Sequence, residues 1–437
     1  MHKQYDAIII GCGIIGNCVA FELAKKGYQT LSVDKLGGSG FGSTAGSCAI
    51  VRAHYSTFEG VAFAYAGFDI WKSWADYCQE EDPTGMAEFR NTGSLVLKTK
   101  GFDWRKIIGL FDTVGVDYEE WDLDQIKQRI PILDLHQFWP ITRPEVDKHF
   151  FDKRLELLEG AIFEPGGGYV SDPKLSTHNI QVAAEHAGAE FSFNTQVSDV
   201  RIAKNRVQGI TLGDGTRIDA PVIVNVAGPH SYIINRMAGV DDKNNIKTRP
   251  LRHEVAYVPS PKEFDFEHNG CQINDGDSGI YLRPEVGNSI LVGSEDPECD
   301  PKDWVEDPDN FNRSVTDGQW NAQVYRCARR IPNLPIPNQK QGLADLYDVS
   351  DDWIPIYDKS DVDGFYMAIG TSGNQYKNGP VAGMMMAELI DNVENQNLDH
   401  DKHPLQFKLP TIGLPINAGF FSRNRKINPE SSYSGMG

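Results

Sequence analysis

The chain has 437 residues, 40% of them hydrophobic and 24% charged, which suffices for two domains or for one large domain with an insertion. Its formal net charge of −19 excludes a general binder of nucleic acid or of anionic membranes, because the overall field repels polyanions. Seven cysteines without a CxxC pair favour a reducing cytoplasm. No apolar stretch reaches about 18 uncharged residues, so no transmembrane span is predicted.

The N-terminal segment predicts a βαβ unit, although its charged start and apolar run superficially resemble a signal peptide. Residues 5–10 (YDAIII) form an apolar run ended by glycine, which is typical of a buried parallel strand. A helix is predicted over 14–26 and a second strand over 29–34. Strand, helix and strand in this order predict a parallel sheet with helices on its faces.

The turn between the first strand and the helix has the sequence Gly11-Cys12-Gly13-Ile14-Ile15-Gly16. The first glycine permits the tight turn, the second lets the backbone approach a pyrophosphate, and the third allows close packing of helix on strand. Asp34 follows about 20 residues later, where a carboxylate binds ribose hydroxyls and repels a 2′-phosphate. The segment predicts a dinucleotide site that disfavours NADP; the alternative is a βαβ turn without ligand.

The remainder of the chain alternates between glycine-rich turns, helices and strands. The predicted elements are a helical region at 57–80, an antiparallel strand at 92–100, a hairpin with Asp214-Gly215 at its turn, a strand-rich region at 250–300, an amphipathic helix at 315–331 and an extended arm from about 403 that wraps the body or touches a partner.

Nucleotide-binding patterns are interleaved with other material along the chain. They fall at 5–57, 160–231 and 340–390, and the second region includes a strand ending in Ala227-Gly228 and a strand edge at Val197 where the backbone can meet an adenine. NAD dehydrogenases usually have a contiguous cofactor domain, so this arrangement favours FAD.

Seven motifs follow one another in order: IIGCGIIGNCVAFELAKKG, GSTAGSCAIVRAHY, GGGYVSDPKL, VIVNVAGPHS, GIYLRPEVGNSILVG, LYDVSDDWIPIYD and AIGTSGNQYKNGPVAG. Together they resemble the D-amino-acid oxidase, glycine oxidase and sarcosine oxidase superfamily of FAD-dependent oxidoreductases. The similarity extends to about residue 392 and is strongest to the sarcosine oxidase and dimethylglycine dehydrogenase branch. The motifs are specific for the superfamily and much less so for the substrate.

The resemblance implies an α/β fold. A Rossmann-like FAD-binding domain would be interleaved with an α+β substrate domain that carries a large mixed or antiparallel sheet. The implied ranges are 1–85, 155–240 and 335–395 for the FAD-binding domain, 86–154 and 241–334 for the substrate domain, and 396–437 for a C-terminal extended arm.

Three residues match family positions at the substrate. Arg52 in AIVRAHY and Lys377 in GTSGNQYK match basic residues that bind the substrate carboxylate, and Tyr347 in LYDVSDD matches a tyrosine near the substrate. The resemblance therefore implies a cationic clamp for a small anionic amine. Without it, a structural salt bridge for Arg52, a solvated turn for Lys377 and a core position for Tyr347 are the alternatives.

Other positions depart from the family pattern. Asp345 stands where some relatives link FAD through cysteine, so a noncovalent flavin is expected. Leu291 is the best match to a lysine that helps to activate oxygen, which favours a dehydrogenase that passes electrons to an electron-transfer protein or a quinone. Ala49 replaces a second arginine, and Asn374 and Gln375 alter the glycine turn, so a substrate other than sarcosine is expected.

The implied reaction is hydride transfer from the carbon beside an amine nitrogen to flavin N5, followed by hydrolysis of the imine. His54 and His253 are candidates for deprotonating the ammonium, although such histidines more often serve packing. The alternatives are an FAD-linked 2-hydroxy-acid dehydrogenase and a non-catalytic flavoprotein subunit; a flavin monooxygenase is less favoured. Assembly as a homo-oligomer or within a heteromer stays open.

The residues expected to contact FAD lie in each of the interleaved regions, and no metal site is expected. They are Gly11, Gly13, Ile14, Ile15, Gly16, Asp34, Lys35, Ser43, Thr44, Ser47, Val197, Ala227, Gly228, Gly373, Asn374, Gln375, Tyr376 and Lys377.

Overall fold

The computed structural model describes residues 4–101 and 103–436, which form a mixed α/β fold with two large sheets. In chain order the strands are β1 (Ala7–Ile10), β2 (Thr30–Val33), β3 (Ile50–Val51), β4 (Phe89–Arg90), β5 (Ser94–Lys98), β6 (Glu119–Trp121), β7 (Gly160–Glu164), β8 (Gly168–Val170), β9 (Glu190–Ser192), β10 (Val197–Ala203), β11 (Arg206–Leu212), β12 (Arg217–Asp219), β13 (Val222–Asn225), β14 (Thr248–Pro259), β15 (Gln272–Asp275), β16 (Ile280–Glu285), β17 (Ser289–Ser294), β18 (Asp303–Trp304), β19 (Gln341–Ser350), β20 (Ile356–Lys359), β21 (Phe365–Ile369), β22 (Gln406–Lys408) and β23 (Pro415–Asn417).

Helices connect these strands and cover the sheets. The α-helices are α1 (Ile14–Lys25), α2 (Phe58–Ala66), α3 (Phe68–Lys72), α4 (Trp74–Cys78), α5 (Trp104–Val114), α6 (Leu123–Arg129), α7 (Pro173–His186), α8 (Ser231–Met237), α9 (Phe266–Asn269), α10 (Asp317–Arg330) and α11 (Gly379–Gln396), with 3-10 turns at Gly228–His230, Asp241–Lys243, Tyr376–Asn378 and Ala418–Phe421. Within the two described ranges, none of these helices is long and apolar enough to cross a bilayer.

The first large sheet has the strand order β20-β21-β13-β1-β2-β9. Neighbours from β21 to β9 run parallel, and β20 is antiparallel to β21. The predicted βαβ unit is confirmed: β1 is fully buried and pairs with both β2 and β13. Because β9, β13, β20 and β21 come from distant parts of the chain, this sheet is assembled from separate segments.

The second large sheet has nine strands in the order β18-β14-β17-β16-β15-β5-β7-β6, and β19 also pairs with β14. β5 is antiparallel to β7, as predicted for residues 92–100, but parallel to β15. β7 and β19 lie within the ranges 155–240 and 335–395 assigned to the FAD-binding domain, yet they pair in this second sheet. The mixed sheet is therefore present, while the exact domain limits stay predictions.

The predicted helical region at 57–80 is three short helices, α2, α3 and α4, separated at Gly67 and Ser73. Close packing explains why a glycine stands at the first break. A Cβ atom there would lie 3.3 Å from the carbonyl oxygen of Lys377, and the same oxygen accepts a hydrogen bond of 2.7 Å from the indole N–H of Trp71. Through this bond α3 contacts the turn that carries Lys377.

The C-terminal arm wraps the body and contains a short hairpin, β22-β23. Buried Arg423 anchors it through hydrogen bonds of 3.0 Å to the carboxylates of Asp358 and Asp401. Further along, the carbonyl of Met436 accepts a hydrogen bond of 3.1 Å from the backbone N–H of Ser56. The last described residues consequently lie beside the segment that follows Arg52.

Candidate active site

An open cavity of about 550 Å³ lies where the two large sheets approach each other. On one side it is lined at the carboxyl ends of parallel strands, by Ile10 of β1 and Val33 of β2. On the other side Tyr281 and Tyr347 reach it from the second sheet. The carboxyl edge of a parallel sheet is where open α/β folds bind ligands.

All eighteen residues expected to contact FAD line this one cavity, and so do Arg52 and Tyr347. The tertiary structure thus brings together segments that are far apart in sequence, from the glycine turn near residue 11 to the turn before α11. The individual contacts of these residues with a ligand stay predictions.

The three glycines of the first turn have different structural reasons. Gly11 has φ +113°, and a Cβ there would lie 2.3 Å from the carbonyl oxygen of Val226. A Cβ on Gly16 would lie 2.0 Å from the carbonyl oxygen of Gly11. A Cβ on Gly13 would meet only Thr44 Oγ1, at 3.0 Å, and Gly13 itself lines the cavity. Gly11 and Gly16 therefore serve backbone packing, whereas Gly13 keeps cavity space open.

The polar groups around this turn fit a dinucleotide. Asp34 accepts hydrogen bonds of 2.8 Å from the backbone N–H groups of Cys12 and Leu36, which hold its carboxylate at the cavity wall. At the N-terminus of α1 the Ile14 N–H donates to Thr44 Oγ1 at 3.2 Å, and the helix start presents partial positive charge to a phosphate. Deeper in the cavity, the buried amide Nδ2 of Asn374 lacks a hydrogen-bond acceptor among the described residues.

Lys35 lines the cavity beside Asp34. Its Nζ lies 2.8 Å from His230 Nε2, and it forms an ion pair with Asp309 from the segment between β18 and α10. Burial and the charge of Lys35 lower the pKa of His230 below its ordinary value. His230 and Asp309 were not among the expected residues, because nothing in their local sequence connects them with Lys35.

Arg52 and Lys377 converge on the ring of Tyr55. The guanidinium carbon of Arg52 lies 5.0 Å from the ring centroid, and Lys377 Nζ lies 4.7 Å from it. Both residues are buried and line the cavity. The two cations, 325 positions apart in sequence, therefore share one end of the site.

The bonding partners of these cations are backbone carbonyls. Arg52 donates to the carbonyls of His54 and, at 2.7 Å, Gly435, while Lys377 donates to the carbonyl of Asn374 at 2.9 Å. No carboxylate in residues 4–101 or 103–436 forms an ion pair with either residue, so neither a structural salt bridge nor a solvated turn describes them. Burial and the charge of Arg52 hold the pKa of Lys377 well below its ordinary value.

Tyr347 is held between two neighbours. Its ring stacks on the imidazole of His253, with centroids 4.3 Å apart and planes 13° apart. Gly373 packs directly against the same tyrosine ring. A Cβ atom at Gly373 would lie 2.3 Å from Tyr347 Cε2, so only glycine fits at this position. Gly373 also has φ +70°. The packing fixes Tyr347 at the cavity wall.

His54 and His253 are absent from the cavity lining. His54 is fully buried, with its Nδ1 bonded to the carboxylate of Glu164, and His253 Nε2 lies 2.7 Å from Asp296 Oδ1. Each histidine instead contacts a residue that lines the cavity. The backbone carbonyl of His54 accepts a hydrogen bond from Arg52, and the imidazole of His253 stacks on Tyr347. This geometry supports positioning by the two histidines better than direct proton transfer.

Several lining residues were not predicted. Glu295 and Asp296 follow β17 directly, and Cys48 Sγ lies 3.2 Å from Tyr281 Oη. The sequence did contain a signal for them. SILVGSED ends in the acidic pair Glu295-Asp296, four residues after Leu291, the position matched to a lysine. Leu291 is buried in β17 and absent from the lining; among the described residues the lysines that line the cavity are Lys35 and Lys377.

The environment of His54 predicts a pH-dependent stability. Burial and the charge of Arg52 lower its pKa to about 4, despite the nearby Glu164 carboxylate. Unfolded histidine binds a proton below about 6.5, so protonation favours the unfolded chain as the pH falls from 6.5 towards 4. At pH 5 the free energy of unfolding should therefore be about 2 kcal/mol lower than at a pH well above 6.5.

We expect His54→Asn, which keeps an N–H for Glu164, to remove this part of the pH dependence. The measurement is the free energy of unfolding in urea for both proteins at pH 5 and pH 7.5. Subtracting the change with pH in the variant from that in wild type cancels the contributions of other groups. An equal pH dependence in the two proteins would contradict a neutral buried His54.

Comparison with known proteins identifies the chain. A family model described as DAO, FAD dependent oxidoreductase, matches residues 6–389. Glycine oxidase of Geobacillus kaustophilus is 24% identical over 410 residues, which cover 90% of this chain and 95% of that protein. Sarcosine oxidase subunit beta of Rhodobacter capsulatus is 22% identical over 395 residues, covering 89% and 85%.

The fold is shared with solved structures. L-proline dehydrogenase from P. horikoshii superimposes with a TM-score of 0.74 at 21% identity, covering 97% of this chain and 98% of that chain. No group of three or more His, Cys, Asp or Glu within the described residues is arranged to hold a metal ion. Since the family model spans most of its length, the chain belongs to the DAO family of FAD-dependent oxidoreductases, and its cofactor is FAD.

Proposed function

We propose that this enzyme oxidises the C–N bond of a small amine that carries a carboxylate, such as an N-substituted or unmodified amino acid. The observation that carries the proposal is the pair Arg52 and Lys377, two buried cations at one end of the cavity without a carboxylate partner among the described residues. Buried charges are normally paired. A substrate carboxylate would supply the missing anion. The names of the glycine oxidase and sarcosine oxidase relatives support this substrate class.

The two cations would orient the substrate in different ways. Arg52 has five N–H donors, and its contacts with the carbonyls of His54 and Gly435 leave others for a carboxylate. Lys377, whose pKa is lowered in the free protein, would gain a proton as the anion binds, because a neighbouring carboxylate favours its charged form. Charge-assisted bonds to both would hold the substrate in one orientation.

FAD, when bound, supplies the two-electron chemistry by accepting hydride from the substrate carbon. The protein residues supply position and field. Gly13 and the N-terminus of α1 would hold the pyrophosphate, Asp34 the ribose, and the partial positive charge at the start of α11 would act on the flavin. Tyr347, fixed between His253 and Gly373, would form one wall of the substrate space.

We further propose a dehydrogenase with a noncovalent flavin. The position matched to an oxygen-activating lysine is Leu291, which is buried in β17 and outside the cavity lining, and this supports a dehydrogenase. Asp345 lines the cavity, and the resemblance matches it to the cysteine that links FAD in some relatives, which supports a noncovalent flavin. Electrons would pass to an electron-transfer protein or a quinone. The name of the Rhodobacter capsulatus relative, a sarcosine oxidase subunit, supports assembly within a heteromer.

The test is anaerobic reduction of the yellow protein. We expect N-methylated or unmodified amino acids to bleach the flavin absorbance, while amines without a carboxylate do so poorly because they do not engage the clamp. Slow reoxidation by air and fast reoxidation by an artificial acceptor would distinguish a dehydrogenase from an oxidase. Bleaching by 2-hydroxy acids alone, or by no substrate in the panel, would contradict the proposed function.

A further inference from the structure

Glu295 is a carboxylate in the cavity wall whose place in the reaction is unassigned. It follows β17 directly, and its backbone N–H donates to the carbonyl of Gly279 at 3.0 Å. Its Oε1 accepts a hydrogen bond of 2.6 Å from Asn274 Nδ2 of β15. Both ends of the residue are thereby fixed. The other carboxylates that line the cavity are Asp34, Asp296, Asp309, Asp345 and Asp348. Asp296 is bonded to His253 and Asp309 to Lys35, while Asp34, Asp345 and Asp348 accept hydrogen bonds from backbone N–H groups. Glu295 differs from them in that the charge of Arg52 acts on it and its side-chain bond comes from a neutral amide.

We propose that Glu295 binds the substrate nitrogen as its ammonium ion and takes one proton from it. This proposal rests on the proposed function, since it assumes that Arg52 and Lys377 hold the carboxylate of the same molecule. An amino acid at neutral pH carries both charges. Two basic side chains and one carboxylate in a single cavity complement such a zwitterion, and they discriminate against an uncharged hydroxyl in place of the ammonium.

The proton balance is simple. One N–H bond of the ammonium breaks, its electron pair stays on nitrogen, and an O–H bond forms on the Glu295 carboxylate. The neutral amine that remains is the form whose α-carbon releases hydride, because the nitrogen lone pair stabilises the resulting cation. Asn274, through Oε1, would keep the accepting carboxylate in place throughout.

The surroundings of Glu295 suit this exchange. Burial raises its pKa to about 7, with Arg52 opposing the shift and the neighbouring Asp296 and Asp275 adding to it. A carboxylate that titrates near neutral pH is a better proton acceptor than an ordinary glutamate. The titratable and charged groups that face it are Arg52 beyond β3, His253 of β14, Asp275 of β15, Tyr281 of β16, Tyr347 of β19 and Asp296 beside it.

The sign of the pH dependence follows from these charges. The reactive form has Glu295 ionised and the substrate as ammonium. In the wild-type enzyme kcat/KM should therefore rise as the pH passes about 7 and stay level until the substrate ammonium itself loses its proton. The glutamine of Glu295→Gln accepts no proton, so this variant has to bind the substrate as its neutral amine, which is scarce at neutral pH. Its kcat/KM should therefore keep rising with pH until the pH reaches the pKa of the substrate ammonium.

The experiment compares FAD-loaded wild type with Glu295→Gln, which keeps an oxygen for Asn274 and nearly the same volume. At pH 8 we expect kcat/KM to fall about 10²-fold, the usual contribution of a positioned acid–base group. Glu295→Asp should recover part of the loss. Glu298→Gln, on the exposed part of the same loop and outside the cavity lining, should leave the activity and its pH profile unchanged.

Ligand binding gives a second readout that does not depend on turnover. Acetate, a carboxylate without an amine, should bind Glu295→Gln at least as tightly as wild type, because the repelling carboxylate has been removed. Wild-type protein that oxidises amino acids while Glu295→Gln retains the same pH profile would overturn the role of Glu295 alone. Wild-type protein that no carboxylate-bearing amine reduces would overturn the proposed function and the role of Glu295 together.

Discussion

Gly13→Val should yield a folded protein that has lost its FAD. Gly13 has φ −73° and ψ −179°, an extended conformation that valine adopts readily, and the added Cβ meets only the Thr44 hydroxyl, at 3.0 Å. Yet Gly13 lines the cavity at the start of α1, so the valine methyl groups occupy space that the pyrophosphate needs. We expect FAD affinity to fall at least about 10²-fold, as an overpacking penalty of ~3 kcal/mol implies.

The measurement is the flavin content of the purified protein, together with thermal unfolding of the variant and of wild type stripped of FAD. Acid precipitation of wild type should release its flavin, as a noncovalent cofactor requires. Gly11→Ala is the contrasting change: its Cβ would lie 2.3 Å from the Val226 carbonyl oxygen at φ +113°, so it should lower the thermal stability of the apoprotein itself. A yellow Gly13→Val protein with normal affinity would contradict the assigned role of this turn.

Lys377→Met should lower kcat/KM for carboxylate-bearing amines by about 10- to 150-fold, the equivalent of one charge-assisted hydrogen bond of ~1.5–3 kcal/mol. The same change should not weaken the fold. Lys377 is buried, lacks an ion-pair partner among the described residues and has its pKa lowered by burial and by Arg52, so its charged form is costly in the free protein.

Two controls make this result specific. Amines without a carboxylate should react equally with wild type and Lys377→Met, because the clamp does not engage them. Lys72→Met, in the exposed part of α3, should alter neither kcat nor KM on amino acids.

The two proteins should also differ in how their stability depends on pH. In wild type the lowered pKa of Lys377 makes folding costly while the unfolded lysine is protonated, and this cost disappears as the pH rises towards 10.5. Wild type therefore gains stability over this range, and Lys377→Met lacks the gain. Unchanged kcat and KM on amino acids would remove Lys377 from the clamp.

Local signals in the sequence were enough for the βαβ unit and its glycine turn. A buried strand, a glycine run and a helix are contiguous, so their spacing alone encodes the geometry, and the strand, helix and turn occur where predicted. The hairpin at Asp214-Gly215 was predictable for the same reason, since its two strands β11 and β12 are adjacent in the chain.

Other features depended on contacts that periodicity does not record. β5 is parallel to one neighbour and antiparallel to the other because strands from distant segments flank it. The helical region at 57–80 is interrupted at Gly67 and Ser73, and around the first break Gly67 and Trp71 pack against the turn that holds Lys377. Composition favours helix there, and the sequence pattern did not reveal the two breaks.

The sequence by itself indicated the cofactor class and singled out Arg52 and Lys377, because the glycine turn is local and both basic residues lie in motifs that resemble those of the family. Only the tertiary structure decided that these two side chains meet at Tyr55, that His54 and His253 lie behind the cavity wall, and that Glu295 and Gly435 line the same cavity. The physical reason is that a cavity between two sheets takes its walls from strand register and long-range packing, which bring together residues that no local pattern connects.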